Sequence, residues 1–525
     1  MGVAGRGERA TESPMALAVV HSRALRGLEA PAVTVEVHLA NGLPSFTLVG
    51  LADTEVKESR ERVRAALQTS GLEFPHNKRV TVSLAPAELP KESGRFDLPI
   101  ALGILAAAGH LDVAALDRFE FAGELSLGGE LRPVHGALAM ALALGRATPD
   151  RPRTLVLPQA SADESALVGG LEVRGAEHLL DVVRALLPGD AADPSGVCPA
   201  RPLERSQSAA LADLVDVRGQ SAAKRALEVA AAGSLSLLMV GPPGSGKSML
   251  ARRLVGLLPP LTHDEALASA AVLSVAGAFS ARRWGERVLR TPHHTASAAA
   301  LVGGNSPPRP GEVSLAHHGV LFLDELPEFR RAVLEALRQP MEDGRITIAR
   351  ARGSLELPAR FQLVAAMNPC PCGSLGDPGR ACRCPPSQVI AYQRRLSGPL
   401  LDRIDLHVEV PALPASDLDG PPGESSAAVA GRVAAARQRQ WARRGAAGSA
   451  TNAALDPARL RVVAAPDPAG RTLLRTAIDR MQLSGRAHDR LLRVARTIAD
   501  LDGRVTVSAS DVAEALQFRA AARPQ

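Results

Sequence analysis

The chain has 525 residues, 46% of them hydrophobic, which is enough for about three or four domains with sizeable cores. It contains no run of about 18 apolar residues and no apolar stretch at its N-terminus, so we expect a cytoplasmic protein without a membrane span or a secretion signal. The net charge of +6 is compatible with a nucleic-acid partner but does not require one, and an aromatic content of 2% argues against base stacking as the main mode of binding.

The N-terminal third has the pattern of one α/β domain. We expect residues 1–14 to be a disordered tail and residues 15–185 to form this domain. The segments AVTVEVHLA and RVTVSLA have the β-branched alternation of strands. Residues 52–71 predict a charged amphipathic helix and residues 96–109 an apolar one, each ending at a glycine. A stretch rich in Pro, Ser, Ala and Asp then predicts a linker over residues 186–212.

The remaining two thirds predict a second α/β region followed by helices. Helices and buried strands alternate over residues 213–414, which is typical of a P-loop domain. We expect a connecting segment over residues 415–470 and a C-terminal helical domain over residues 471–525. The predicted fold class is therefore α/β.

The most informative stretch is a glycine-rich turn between an apolar run and a helix. It fits the pattern G-x-x-x-x-G-K-[ST] with Gly241, Pro242, Pro243, Gly244, Ser245, Gly246, Lys247 and Ser248. In this pattern backbone N–H groups and the helix N-terminus surround a phosphate, Lys247 reaches the β- and γ-phosphates, and Ser248 holds Mg²⁺. Since the strand and the helix that the motif requires are both present, the stretch predicts a site for ATP and Mg²⁺.

A second motif, GVLFLDELPEF, places two carboxylates at the end of a short apolar strand. Asp324 directly follows the strand and is positioned to face the Mg²⁺ of the P-loop. Glu325 comes next and is positioned to act as a general base on an attacking water. The alternative is a strand that merely ends in acidic loop residues, and the P-loop upstream favours the catalytic interpretation.

Several segments together resemble one family. DVRGQ, GPPGSGKS, TPHHTASAAALVGG, GEVSLAHHGVLFLDELPEF, LRQPMEDGRITIARA, AAMNPCPCG and LSGPLLDRIDLHVEVP are similar to the magnesium-chelatase-like AAA+ ATPases of the YifB/ComM family, over nearly the whole chain. The resemblance implies a Lon-protease-like (ribosomal S5 domain 2-like) N-terminal domain, an AAA+ P-loop domain with a helix-2 insert and a hairpin, and a C-terminal helical lid. It also implies a homo-oligomer, a hexameric ring with ATP sites between subunits.

The resemblance extends to individual site residues. Asn368, at the end of a third apolar strand, matches sensor 1, which orients the water near the γ-phosphate. Arg403 matches the arginine finger that reaches a neighbour's γ-phosphate; Arg394 and Arg395 are alternatives, as is a simple surface charge cluster. Arg486 matches sensor 2, an arginine of the lid that contacts the phosphates, and Arg490 and Arg493 lie one and two turns further on. A basic helix face is more often just solvated.

Two further segments concern a DNA partner. GRITIARARGSLELPAR predicts a β-hairpin whose basic tip contains Arg350 and Arg352, which are placed to hold DNA phosphates in the pore of a ring. The equal alternative is a hairpin that packs against the neighbouring subunit. The loop that contains His293 and His294 lacks Cys or carboxylate partners at metal-binding spacing, so we interpret it as structural or pore-facing.

A cluster of cysteines predicts a structural metal site. Its spacing is C-x-C, nine residues, C-x-C, formed by Cys370, Cys372, Cys382 and Cys384. Four thiolates in a glycine-rich loop can hold Zn²⁺ tetrahedrally and leave no open position for catalysis. Free thiols and a reversible disulfide are the alternatives.

The Lon-like resemblance does not predict a peptidase. A Lon-type peptidase needs a serine nucleophile and a lysine base. Here Lys91 and Ser93 are too close in sequence to be assumed a dyad, and the serine context of the family is missing. We expect a binding or assembly platform instead, with Lys78, Arg79 and Lys91 as candidate DNA contacts.

Three functions are consistent with this sequence. The resemblance favours an ATP-driven ring motor acting on DNA, with branch migration or helicase activity in homologous recombination and uptake of transforming DNA. The alternatives act without DNA: a magnesium-chelatase-type ATPase, or a protein-remodelling AAA+ ATPase or inactive-protease adaptor. The long N-terminal domain argues against the chelatase role.

Overall fold

The computed structural model describes residues 16–50, 54–91, 93–147, 153–204, 212–304, 309–350, 353–377, 379–414, 417, 420–443 and 451–520. The chain divides into two compact units. The first unit contains Met1–Arg205 and Ala270–Trp284, and the second contains Ser206–Ser269 and Gly285–Gln525. No helix within the described ranges is long and apolar enough to cross a membrane.

In the first unit, helices alternate with two sheets and a short hairpin. The strands are β1 (Ala16–Arg23), β2 (Ala32–Asn41), β3 (Ser45–Val49), β4 (Lys78–Ala85), β5 (Phe119–Phe121), β6 (Glu124–Leu125), β7 (Leu131–Arg132), β8 (Thr154–Pro158), β9 (Val173–Ala176) and β10 (Cys198–Pro199). The helices are α1 (Thr54–Thr69), α2 (Asp97–Ala107), α3 (Val113–Leu116), α4 (Ala137–Ala147), α5 (Gln159–Ser165) and α6 (Leu179–Ala185).

The larger sheet of the first unit has the order β1-β2-β4-β3, with β3 parallel to β4 and the other pairs antiparallel. Strand β2 buries every second residue, as expected of a strand with one face on the core. The predicted apolar helix is α2, which is buried along its whole length and packs on β1 and β2. Gly103 permits this close approach, because a Cβ atom there would lie 2.5 Å from Cγ2 of Val37. The second sheet has the order β10-β9-β8-β5.

The structure corrects one predicted DNA contact in this unit. Lys91 is fully buried and its ammonium group donates a hydrogen bond to the carbonyl oxygen of Pro86, so it cannot reach a phosphate at the surface. Ser93 has a left-handed backbone (φ +69°), and its hydroxyl accepts a hydrogen bond from Nε of Arg95 at 2.9 Å. Arg79, in contrast, is exposed.

The second unit is built on a parallel sheet with helices around it. Its strands are β11 (Leu237–Val240), β12 (Leu289–Arg290), β13 (Gly303–Gly304), β14 (Arg309–Pro310), β15 (Val320–Leu323), β16 (Arg345–Arg350), β17 (Gly353–Pro358), β18 (Gln362–Met367) and β19 (Leu406–Glu409).

Its helices follow the alternation that the sequence predicts. They are α7 (Ser221–Gly233), α8 (Lys247–Leu254), α9 (His263–Val275), α10 (Ala298–Val302), α11 (Glu312–Leu315), α12 (Arg331–Ala336), α13 (Arg338–Asp343), α14 (Pro386–Gln393), α15 (Gly398–Leu401), α16 (Ser426–Arg443), α17 (Pro457–Val463), α18 (Pro468–Met481), α19 (Gly485–Leu501) and α20 (Ala509–Ala520). Helix α9 spans the boundary between the two units.

The central sheet has the order β12-β15-β18-β11-β19, and all its strands run parallel. Strands β15 and β18 are buried throughout, which explains why they read as continuous apolar runs rather than alternating ones. Because parallel strands end at the same edge, the loops after β12, β15, β18 and β11 lie side by side. The C-terminal helices α16 to α20 share one hydrophobic cluster with α7 and this sheet.

Candidate nucleotide site

The P-loop is the turn between β11 and α8. Gly244 and Gly246 have φ angles of +79° and +93°, which glycine adopts without a steric penalty. A Cβ atom at Gly241 would collide with the carbonyl oxygen of Val410, so this position also requires glycine. Since α8 begins at Lys247, its N-terminus faces the loop, as a phosphate-binding site requires.

The side chain of Lys247 lies inside this loop. Its ammonium group donates hydrogen bonds to the carbonyl oxygens of Gly241 at 2.7 Å and Pro242 at 2.8 Å, and to Oδ1 of Asn368 at 3.3 Å. Burial lowers the pKa of Lys247 below its usual value, and the charge of Asp324 opposes that shift. These three acceptors of the Lys247 ammonium group are neutral. A negatively charged phosphate would form a stronger hydrogen bond with it and could replace them.

Ser248 and Asp324 meet across the sheet edge. The Ser248 hydroxyl donates a hydrogen bond to Oδ2 of Asp324 at 2.6 Å. Oδ1 of the same carboxylate accepts a hydrogen bond from the backbone N–H of Glu325 at 2.9 Å. A hydroxyl and a carboxylate oxygen in contact are the hard donors that Mg²⁺ prefers, so these two residues fit the ion that the sequence predicts.

Glu325 turns away from this group. Its backbone is left-handed (φ +52°) and its side chain is 56% exposed. One carboxylate oxygen, Oε2, lies 3.2 Å from Nδ1 of His294. The sequence interpretation of His294 as a structural or pore-facing residue missed this contact. The sequence carries no clear signal for this contact, because the strand before His294 has only two residues.

Arg403 is buried, with 3% of its surface exposed. Its guanidinium group forms an ion pair with Glu342 at 2.7 Å and donates a hydrogen bond to the carbonyl oxygen of Pro399 at 2.7 Å. Burial acts to raise the Glu342 pKa, but the hydrogen bond from Arg403 and the charges of Arg486 and Arg490 bring it below its usual value. In this structure the Arg403 guanidinium group is therefore engaged by partners of its own chain.

Arg486 lies beside the same carboxylate. Its side chain is 61% exposed and its Nε is 3.8 Å from Oε1 of Glu342. Both arginines line a pocket of about 310 Å³, together with Ser236, Leu363, Asp405, Arg490 and Arg493.

This pocket lies at the sheet edge opposite the P-loop. Ser236 precedes β11 and Asp405 precedes β19, so the pocket adjoins the amino ends of the strands, while the P-loop follows their carboxyl ends. The four residues of β11 span roughly 13 Å between the two edges. Arg486 consequently lies beside the edge opposite to that of Lys247 in its own chain.

The alternative finger residues lie elsewhere. Arg394 and Arg395 line a second pocket with Pro327 and Phe329, which follow β15 at the P-loop edge. Arg395 pairs with Glu328 at 2.9 Å.

The basic hairpin that the sequence predicts is present as the antiparallel pair β16–β17. Arg350 is the last residue of β16 and pairs with Gly353. The side chain of Arg350 and the whole of Arg352 lie outside the described residues.

The four clustered cysteines are free thiols in close contact. The Sγ atoms of Cys370, Cys372 and Cys382 are 3.4 to 3.6 Å apart, and all four Sγ atoms, including that of Cys384, lie within 4.8 Å of one another. Four sulfurs at about 2.3 Å from a tetrahedral Zn²⁺ are about 3.8 Å apart, so the spacing fits zinc. A disulfide needs about 2.05 Å.

Known protein families match most of the chain. Three family models match: magnesium chelatase, subunit ChlI, over residues 213–418; subunit ChlI of Mg-chelatase over residues 35–161; and the ChlI C-terminal region over residues 423–519. The chain is 48% identical over 512 residues to competence protein ComM of Haemophilus influenzae, covering 97% of this chain and 98% of that protein.

The chain belongs to the YifB/ComM family of magnesium-chelatase-like AAA+ proteins. It is also 47% identical over 509 residues to the uncharacterized protein YifB of Escherichia coli, covering 96% of this chain and 97% of that one. A third relative, the uncharacterized protein Rv2897c of Mycobacterium tuberculosis, is 44% identical over 512 residues, covering 96% and 99%. The mixed α/β fold with a parallel sheet is consistent with an AAA+ P-loop domain.

Proposed function

We propose that the chain is the subunit of a homo-hexameric, ATP-hydrolysing ring motor that acts on DNA by branch migration or helicase activity, in recombination and uptake of transforming DNA. The observation that carries the ATPase part is the convergence of Lys247, Ser248, Asp324 and Asn368 at one sheet edge. The DNA part is supported by the basic hairpin and by the name of the relative ComM, a competence protein. In this proposal residues 15–185 are a Lon-like platform, 213–414 the AAA+ core and 471–525 the lid.

The residues at the P-loop edge have separate roles in ATP hydrolysis. The P-loop N–H groups and Lys247 bind the β- and γ-phosphates, and Ser248 and Asp324 hold Mg²⁺, which neutralises charge on the phosphates when bound. Asn368 orients a water, and Glu325 accepts its proton as the water oxygen bonds to the γ-phosphorus and the bond to ADP breaks.

The opposite edge supplies the remaining charge from a second chain. In the proposed ring, Arg486 of one chain contacts the P-loop edge of its neighbour, and Arg403 does so after its ion pair with Glu342 opens. A ring of identical, head-to-tail interfaces brings those two edges together at every contact. Arg486 is the better test residue, because its exposed side chain can be removed without unpairing a buried charge.

Mixing two inactive variants tests whether Lys247 of one chain and Arg486 of another act in the same site. Lys247→Ala and Arg486→Ala should each reduce ATP turnover strongly, by roughly 10³-fold if Arg486 acts as a finger does. A one-to-one mixture should recover on the order of a quarter of the wild-type sites, because one interface in four joins an intact P-loop to an intact Arg486.

Turnover is measured in the separate and the mixed preparations after they have been allowed to exchange subunits. Mixing wild-type protein with Lys247→Ala provides the control for exchange. An exchanging mixture of the two variants with no recovered activity would mean that both residues act within one chain.

DNA-dependent turnover separates the motor from its alternatives. We expect branched DNA to increase the ATPase rate of the wild-type protein several-fold, and we expect the DNA to be unwound or its branch point to be migrated. The variant Glu325→Gln should bind ATP, but its hydrolysis rate should fall by roughly 10² to 10⁴. ATPase and strand-exchange assays with and without a four-way junction measure both effects.

The matched control is Glu328→Gln, a nearby partly exposed acid that pairs with Arg395 and has no assigned role in hydrolysis. ATPase activity without any response to DNA would favour the chelatase-type or protein-remodelling function. Wild-type turnover in Glu325→Gln would remove that residue from the mechanism.

We also propose that the four cysteines hold one structural Zn²⁺ per chain. Their loop lies directly against the P-loop, because a Cβ atom at Gly373 would collide with the side chain of Pro243. It also begins two residues after Asn368, so a metal there would fix both the P-loop and sensor 1 from the same side. Four protein ligands make this ion structural rather than catalytic.

Metal analysis tests the zinc site. Wild-type protein should retain about one zinc per chain, and Cys372→Ser or Cys382→Ser should retain less than about a tenth of it, with ATP affinity reduced by roughly threefold to tenfold. Elemental analysis and nucleotide titration measure these quantities. Cys198→Ser, at an exposed free cysteine, is the matched control. Metal-free wild-type protein after purification in zinc-supplemented, chelator-free buffer would refute the site.

A further inference from the structure

Ser236 and Asp405 join two neighbouring strands at the amino edge of the central sheet. Ser236 precedes β11, the strand that leads to the P-loop, and Asp405 precedes β19. Oδ2 of Asp405 accepts hydrogen bonds from the backbone N–H of Ser236 at 2.8 Å and from its hydroxyl at 2.7 Å. The backbone N–H of Asp405 donates to the same hydroxyl at 2.9 Å. The buried carboxylate is therefore fixed to the sheet.

The other oxygen of this carboxylate binds helix α19. Oδ1 of Asp405 accepts a hydrogen bond from Nη1 of Arg490 at 2.7 Å. Both side chains are largely withdrawn from water, where a charge-assisted hydrogen bond is strong and holds its partners in one orientation. Arg486 lies one helical turn before Arg490, on the same face of α19. The Asp405 carboxylate thus ties the face of the helix that carries Arg486 to the sheet.

The start of α19 has a second attachment on the other side of Arg486. The hydroxyl of Ser484, the N-cap of the helix, donates a hydrogen bond to Oδ2 of Asp402 at 3.1 Å. Contacts at positions 484 and 490 therefore flank Arg486, whose own side chain is exposed. The helix backbone at Arg486 is held in place, while the long side chain remains accessible to a partner.

We propose that Asp405 is a positioning residue that acts, through α19 and Arg486, on ATP bound by the neighbouring chain. The inference rests on the proposed function, because it takes Arg486 as the residue that completes a neighbour's site. Asp405 is buried and makes no contact with the nucleotide in this account. It sets the place from which the Arg486 guanidinium group reaches the phosphates, and stabilisation of the developing charge depends on accurate placement of that group.

The variant Asp405→Asn in the full-length protein tests this role. The amide has one acceptor oxygen and one donor group, so it can accept from Ser236 only while it presents N–H groups to Arg490. ATP turnover should fall by about tenfold to 10²-fold, the effect of a misplaced charged group. Equilibrium affinity for ATP should stay within about twofold of wild type, because Lys247 and its loop are unchanged.

A one-to-one mixture of Asp405→Asn with Lys247→Ala shows which chain Asp405 serves. The first variant retains its P-loop and the second retains the Asp405–Arg490 pair. About one interface in four should then have both intact, and on the order of a quarter of wild-type turnover should return after subunit exchange. If Asp405 instead acts through Ser236 on the P-loop of its own chain, the mixture will return no activity beyond that of its components.

The matched control is Asp511→Asn. Asp511 is a buried carboxylate that accepts hydrogen bonds from the N–H and the hydroxyl of Ser508, both at 2.7 Å, and pairs with Arg504. It lies in the first turn of α20, outside the described lining of the amino-edge pocket. Thermal unfolding should show a comparable loss of stability, with turnover within about twofold of wild type.

An equal loss of turnover in Asp511→Asn would reduce the effect to general destabilisation and overturn the positioning role. Arg490→Gln breaks the same ion pair from its more exposed side. It takes the place of Asp405→Asn in the mixture if that variant does not assemble, with the same expected recovery.

The two mixtures separate this inference from the proposed function. Recovery with Lys247→Ala plus Arg486→Ala, but not with Lys247→Ala plus Asp405→Asn, overturns the positioning role alone. An absence of recovery in both, in preparations that exchange subunits, overturns the division of the site between chains and this inference with it. Wild-type turnover in Asp405→Asn overturns the positioning role whatever the mixtures show.

Discussion

The order of the five parallel strands in the second unit determines which side chains can meet around a bound phosphate. Strands β15, β18 and β11 are neighbours, so Asp324, Asn368 and the P-loop end at one edge within hydrogen-bonding distance. The same order places β12 on the far side of β15, which is why Glu325 finds His294 rather than Lys247. One topological constraint thus brings together the candidate phosphate and metal ligands and separates the candidate base from them.

The two edges of this sheet carry complementary chemistry. The carboxyl edge offers backbone N–H groups, a lysine and candidate Mg²⁺ ligands, whereas the amino edge offers a pocket lined by Arg403, Arg486 and their neighbours. Under the proposed function, each chain contributes two half-sites, which about 13 Å of strand separates. The loop that contains the four cysteines packs directly on Pro243, beside the carboxyl edge.

The parts that sequence predicts well are those fixed by local pattern. The P-loop glycines, the apolar strands and the acidic residue after β15 are recognisable because parallel strands impose continuous burial and end together. The Ser248–Asp324 contact follows from that rule.

The parts that sequence did not predict depend on distant partners or very short elements. The burial of Arg403 depends on Glu342, far away in the chain, and its motif gives no sign of that ion pair. The His294–Glu325 contact depends on β12, a strand of two residues, too short to be recognised from periodicity. Lys91 has a basic side chain in a polar sequence, and only the fold shows that its ammonium group is satisfied inside the first unit. The tip of the hairpin, at Arg352, lies outside the described residues.

The central claim is that neither edge hydrolyses ATP alone, and the dependence of turnover on assembly tests it most directly. ATP turnover per chain is measured across a dilution series while the mass of the particles is followed by light scattering or mass photometry in the same buffer. The account predicts that turnover per chain falls in step with dissociation and is at least tenfold lower for monomers than for assemblies, since the charge supplied by a neighbour's arginine is lost. Monomers that hydrolyse ATP as fast as assembled particles would contradict it.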